Sequence, residues 1–156
     1  MAANAPSKLI QDICTQAVKF QAKYDNCVSA LELDPKAASA DVATLAKISI
    51  KLGISNITDT QNYIKNLLKN ASAELQKPLK TCLSWYEAAT NSFKSAFLEL
   101  TEDPLTANYD SKIAGDDVQL CEDELAREKA QIPEVTTRSN YGKLYSTISF
   151  LVTDRL

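Results

Sequence analysis

Between residues 75 and 100 the apolar side chains fall in single file: Leu75, Leu79, Cys82, Tyr86, Ala89, Phe93, Ala96 and Leu100. The intervals alternate between four and three, the rhythm that keeps one stripe of a helix turned toward its neighbours. A long helix with one such stripe, otherwise polar, buries it by packing on other helices. This one segment therefore points to a bundle before any other residue is considered.

The remaining chain supplies the partners. Leu9, Ile10, Ile13 and Cys14, continuing to Ala17, mark a short helix, and Cys27, Val28 and Leu31 a second, cut off by Asp34-Pro35 because proline disfavours helix in the residue before it. A long segment starts near Asp41 or Ser39, either a plausible N-cap. It carries Val42, Leu45, Ile48, Leu52, Ile64, Leu67 and Leu68 on one face, and Gly53 with the polar patch 55–60 reads as a bend. Pro78 predicts that the seam helix starts at 77 or bends there. Asp103-Pro104 ends that helix and begins another, proline being favoured in a first turn. Its inner face is Ala107, Ile113, Ala114, Val118, Cys121 and Leu125, and Gln131-Ile132-Pro133 closes it. The last segment, from about Thr137, offers Tyr141, Leu144, Ile148, Leu151 and Val152. Three glycines in 156 residues suit helices rather than sheets. The expected fold is all-α: an up-down-up-down four-helix bundle over about 39–156, preceded by a helical hairpin over about 7–35. Together they form one domain over 1–156.

Four cysteines constrain this further. Cys14 and Cys27 flank the turn of the hairpin, where a bridge would pin two helices too short to hold alone. Cys82 and Cys121 lie on the inner faces of consecutive long helices. Four cysteines allow three connectivities, and bundle geometry favours pairing neighbours. The rival is four reduced core thiols in a cytosolic chain. Zinc fits poorly, since no pair has ligand spacing and the chain has no histidine. Asn56-Ile57-Thr58 and Asn70-Ala71-Ser72 match the N-glycosylation pattern, each at a polar break where a sugar would be exposed. Residues 1–7, MAANAPS, lack the charged start and apolar centre of a secretory signal, which leaves a cytosolic chain or a mature form.

Much chemistry is excluded. Without histidine there is no His-based triad or general base. Seventeen basic residues are scattered, and the net charge is −3, which does not suit nucleic acid. The apolar runs are too short to span a bilayer. Asp116-Asp117 and Glu122-Asp123-Glu124 read as solvated helix faces, because adjacent helical residues diverge. Tyr86 reads as core; Trp85, one step round, is a helix-boundary residue or a surface anchor. The residues alone describe a secreted, stapled bundle that binds something, with no cofactor and no metal.

The pieces LIQDIC (9–14), NCVSALELDPKAASADVATLAKISI (26–50), LKTCLSWY (79–86), ANYDSKIAGDDVQLCED (107–123) and VTTRSNYGKLYSTISFLVT (135–153) resemble the plant invertase/pectin methylesterase inhibitor family over almost the whole chain. The likeness is strongest to its plane-tree pollen allergen branch, described as invertase inhibitors. The resemblance implies Cys14–Cys27 and Cys82–Cys121 bridges. It also implies a non-catalytic inhibitor that plugs the cleft of an apoplastic or vacuolar carbohydrate enzyme in a one-to-one complex. Family invertase inhibitors insert a Pro-Lys-Phe loop; the corresponding residues here are Pro104, Leu105 and Thr106, without the cation and the aromatic. Family pectin methylesterase inhibitors present a Thr before the fourth cysteine and an Asp two after it; here these are Leu120 and Asp123. Acid invertase is the favoured target and pectin methylesterase the alternative. A pollen protein or carrier with no enzyme target is a third reading.

Overall fold

The computed structural model describes residues 5–156; the reading of 1–7 lies partly outside the described residues, at 1–4. Within them run α1 (Lys8–Val18), α2 (Tyr24–Glu32), a 3₁₀ turn (Pro35–Ser39), α3 (Val42–Asn70), α4 (Ala73–Glu99), α5 (Pro104–Arg127) and α6 (Pro133–Thr153). Helices α3 to α6 form the bundle. Each packs on the next, and α6 packs back on α3 to close the ring. The short loops make consecutive helices antiparallel. Helices α1 and α2 pack on each other and dock chiefly on α6. Tyr145 of α6 donates its hydroxyl to the Ala30 carbonyl at 3.1 Å, and Phe20 meets Phe150 edge-on.

Both disulfides are present, Cys14–Cys27 with Cα atoms 5.5 Å apart and Cys82–Cys121 at 4.3 Å. All four cysteines are fully buried. Helix starts are capped as their sequences suggest. Ser7 accepts from the Ile10 amide, Asp41 from Thr44 and Asp103 from Thr106, each satisfying a backbone N–H that the helix leaves free. Two helices end on a left-handed residue that is not glycine. At α1 the Ala22 amide donates to the Ala17 carbonyl, and at α5 the Ala130 amide donates to Leu125. Gln21 and Lys129 take the left-handed conformation (φ 71° and 53°) that this kind of helix end requires.

The three glycines instead serve packing inside helices. Gly53 does not bend α3, which runs unbroken through 55–60; it makes room for Phe93, whose Cζ would stand 2.9 Å from an added Cβ. Asn56 therefore sits in mid-helix, half-buried, and not at a break. Pro78 falls inside α4, which starts at Ala73. Proline removes a single backbone donor there, and α4 continues past it. The seam of α4 is buried from Leu79 to Leu100, with Leu75 half-buried. Helix α6 starts at Pro133, four residues before the expected Thr137. Tyr141 points outward at 41% exposure, and Tyr145 is the buried tyrosine. Much of the inner face of α6 is small, and three of its four small residues carry a hydroxyl: Ser139, Gly142, Ser146 and Ser149.

Candidate functional site

Two regions of α5 hold the residues singled out above. The first is the α4–α5 tip. Asp103 accepts from both the amide and the hydroxyl of Thr106, at 3.1 and 2.7 Å. These two bonds hold the Asp103 carboxyl below the usual carboxylate range. Pro104 occupies the first turn with its φ fixed by the ring. The cap and the proline leave the backbone little freedom, and Leu105 projects from it at 80% exposure. Tyr109, one turn on, is 64% exposed, and Leu98 near the end of α4 is 77% exposed. The tip thus carries three large apolar side chains in water, set on two rigid helix ends.

The second region lies toward the far end of α5. Leu120 is 38% exposed. Asp123 is exposed and accepts from the Gln119 side chain at 2.8 Å. At 1.5 Å per residue, about 25 Å of helix separates this pair from Pro104, Leu105 and Thr106. The candidate residues therefore form two separate patches, not one constellation.

The acidic residues divide differently from the sequence expectation. Asp116 is exposed and pairs with Lys112 at 3.2 Å. Its neighbour Asp117 is buried between α5 and α4, with the Ser92 hydroxyl 3.5 Å away. Burial pushes the Asp117 carboxyl above the usual range. Glu124 is also buried and is paired with Arg127 through one oxygen. Glu122 accepts from the Thr136 hydroxyl at 2.9 Å. Tyr86 is fully buried, its hydroxyl 2.6 Å from that of Ser139. Burial pushes its phenol far above the ordinary value, with Glu122 adding to the effect and the Ser139 bond opposing it. Trp85 is half-buried against the core. The signal for Asp117 was its position. It lies three residues after Ala114 and four before Cys121, on the edge of the inner stripe.

A hollow of about 580 Å³ opens between the hairpin turn and the α5–α6 face, lined by Lys23, Lys112, Lys143, Asp116, Phe20 and Phe150 among others. It is a surface groove. The bundle axis itself is filled by Tyr86, Phe93, Ile57, Ile64, Val118 and Ile148. Among the described residues no group of three or more His, Cys, Asp or Glu could hold a metal ion. Among the described residues no helix is long and apolar enough to cross a membrane.

Residues 8–149 match the family model described as plant invertase/pectin methylesterase inhibitor. Two plane-tree proteins, from Platanus acerifolia and Platanus orientalis, are provisionally named invertase inhibitors. Each is 30% identical over 95% of this chain and covers 85% or 89% of its own length. A pectinesterase inhibitor of Actinidia deliciosa is 31% identical over 76% of this chain and 63% of its own. The crystal structure of a mutant pectin methylesterase inhibitor from Arabidopsis superposes with a TM-score of 0.83 at 22% identity, covering 96% of this chain and 98% of that one. At that identity the superposition establishes the helical fold. The two bridges, the helical bundle and the match over most of the chain agree: this protein belongs to the plant invertase/pectin methylesterase inhibitor family, whose members inhibit enzymes and are not enzymes themselves.

Proposed function

We propose that this chain is a secreted inhibitor that blocks the substrate cleft of a plant acid invertase in a one-to-one complex. The observation that carries this reading is the likeness, along 95% of the chain, to two plane-tree proteins provisionally named invertase inhibitors. An Arabidopsis protein named cell wall/vacuolar inhibitor of fructosidase, 35% identical over 51% of this chain and 46% of its own, supports the same target and a cell-wall or vacuolar location. The inserted element is the α4–α5 tip. Leu105 stands on a turn fixed by Pro104 and by the Asp103–Thr106 cap, so docking orders little that is not already ordered, and a modest patch can bind tightly. Apolar contact by Leu105, Tyr109 and Leu98 takes the place of a cation and an aromatic.

A second reading, pectin methylesterase, rests on the exposed Asp123 on the outer face of α5 and on the Actinidia relative. The test mixes the protein with acid invertase and with pectin methylesterase at acidic pH and titrates residual activity. The expected result is stoichiometric loss of invertase activity at one inhibitor per enzyme. Leu105→Asp is expected to weaken inhibition at least about tenfold, the loss of roughly 1.4 kcal/mol, while Asp123→Ala leaves it unchanged. Loss of inhibition in Asp123→Ala, with the esterase as the enzyme affected, replaces the first reading with the second. Full activity of both enzymes rejects both and leaves a protein without an enzyme target.

A further inference from the structure

The two N-glycosylation sequences sit in opposite surroundings. Asn56 is in the middle of α3, and its carboxamide oxygen is buried with no hydrogen-bond partner among the described residues. That oxygen lies 3.3 Å from the position an added Cβ on Gly142 would take, so it faces α6 across the α3–α6 seam. The nitrogen that would carry a sugar belongs to the same planar group. Presenting it as an acceptor would require drawing the Asn56-Ile57-Thr58 backbone out of α3, where Ile57 is fully buried.

Asn70 is the last residue of α3 and is exposed. After it the backbone leaves the helix. Ala71 has φ −70° and ψ 142°, and Ser72 has φ −61° and ψ 160°. Ser72 holds the N-cap position of α4, yet its hydroxyl makes no capping bond. The turn is closed instead by Gln76, whose side chain donates to the Leu68 and Ala71 carbonyls at 3.1 Å each. An exposed Asn, an extended backbone and an uncommitted hydroxyl two residues on are what a glycosyl transfer to Asn requires of its acceptor.

We infer that the folded, secreted protein carries one N-linked glycan, at Asn70, and none at Asn56. This rests on the reading that the chain enters the secretory pathway. The sugar stands at the α3–α4 end of the bundle. The 27 residues of α4 place it about 40 Å from the α4–α5 tip at 1.5 Å per residue, and Leu105 stays accessible.

The test expresses the chain behind an added leader in a eukaryotic secretory host, alongside Ser72→Ala and Thr58→Ala, each of which removes one acceptor sequence by changing an exposed residue. Intact mass before and after enzymatic release of N-glycans counts the sugars, and the Asn-to-Asp conversion left by release marks the site. Wild type and Thr58→Ala are expected to carry one glycan, at residue 70, and Ser72→Ala none. A sugar at Asn56 in folded protein, or bare wild-type protein, overturns the inference. Because the leader is supplied, the outcome is independent of where the plant sends the chain. Imaging of the tagged native protein tests that location separately.

Discussion

Removing the Cys82–Cys121 bridge as Cys82→Ala/Cys121→Ala is expected to cost far more than its two sulfur atoms suggest. The bridge spans 39 residues, and on the chain-entropy model a loop of that length confines the unfolded chain by about 4 kcal/mol. Cys14–Cys27 spans 13 residues, for about 3 kcal/mol on the same model. Against a total of about 5–15 kcal/mol for a typical domain, the longer bridge is a large share. In a chain of this size it corresponds to a fall in Tm of roughly 8–16 °C. The assay is guanidinium and thermal unfolding of the non-reduced protein. The denaturant slope is expected to rise, because the unfolded chain is no longer held compact. Cys14→Ala/Cys27→Ala is expected to behave differently. Helices α1 and α2 have 11 and 9 residues, below the length at which helices persist alone. Their backbone amides should exchange with solvent well before those of the bundle. A Tm for Cys82→Ala/Cys121→Ala within 2 °C of wild type, on the scale of about 2–4 °C per kcal/mol, would refute the entropy argument. So would simultaneous loss of hairpin and bundle in the other pair.

Four further outcomes follow from the interior. Gly115→Ala should destabilise by about 1–3 kcal/mol by overpacking, despite a helix-propensity gain of about 1 kcal/mol. An added Cβ falls on the Ser146 hydroxyl, which accepts from the Gly115 amide and donates to the Ser111 carbonyl. Gly142→Ala meets chiefly the mobile methyl end of Ile57 and should be near neutral in the same denaturation series. The raised Tyr86 phenol gives stability that is complete below its ordinary value of 10.0 and lost as pH rises above it. Thermal scans across pH 8–12 should therefore show alkaline unfolding that is shallower in Tyr86→Phe, which also loses about 1–3 kcal/mol by stranding the Ser139 hydroxyl. The raised Asp117 carboxyl implies stability that is present below 3.8 and lost as pH rises. Asp117→Asn should then melt higher than wild type at neutral pH and lose that advantage at pH 3.5.

Helices whose inner face is strongly apolar were legible in the sequence. The α4 seam from Leu79 to Leu100 and the hairpin positions Ile10, Ile13 and Leu31 are all buried. Helix α6 was read less well because its inward face includes Ser139, Gly142, Ser146 and Ser149, which hydropathy scores as surface. The tyrosine placed inside, Tyr141, is the exposed one. Gly53 was read as a bend because glycine breaks isolated helices, whereas here Phe93 fills the space it leaves. Asp117 was read as solvated because its charge outweighed its position on the helix. Both bridges were legible because the cysteines fell on facing stripes. The candidate surface was not: the exposure of Leu98, Leu105 and Tyr109 depends on how two helix ends meet, which no local pattern encodes.

Helix α6 packs on α3 and α5, reaches α4 through the Tyr86–Ser139 contact, and carries the hairpin. All four cysteines precede it in the chain. During vectorial synthesis all four cysteines therefore emerge ahead of the strut that completes the ring. Oxidation and final assembly are then separable events. A chain truncated before Pro133 is expected to hold both crosslinks by mass spectrometry yet melt without a cooperative transition.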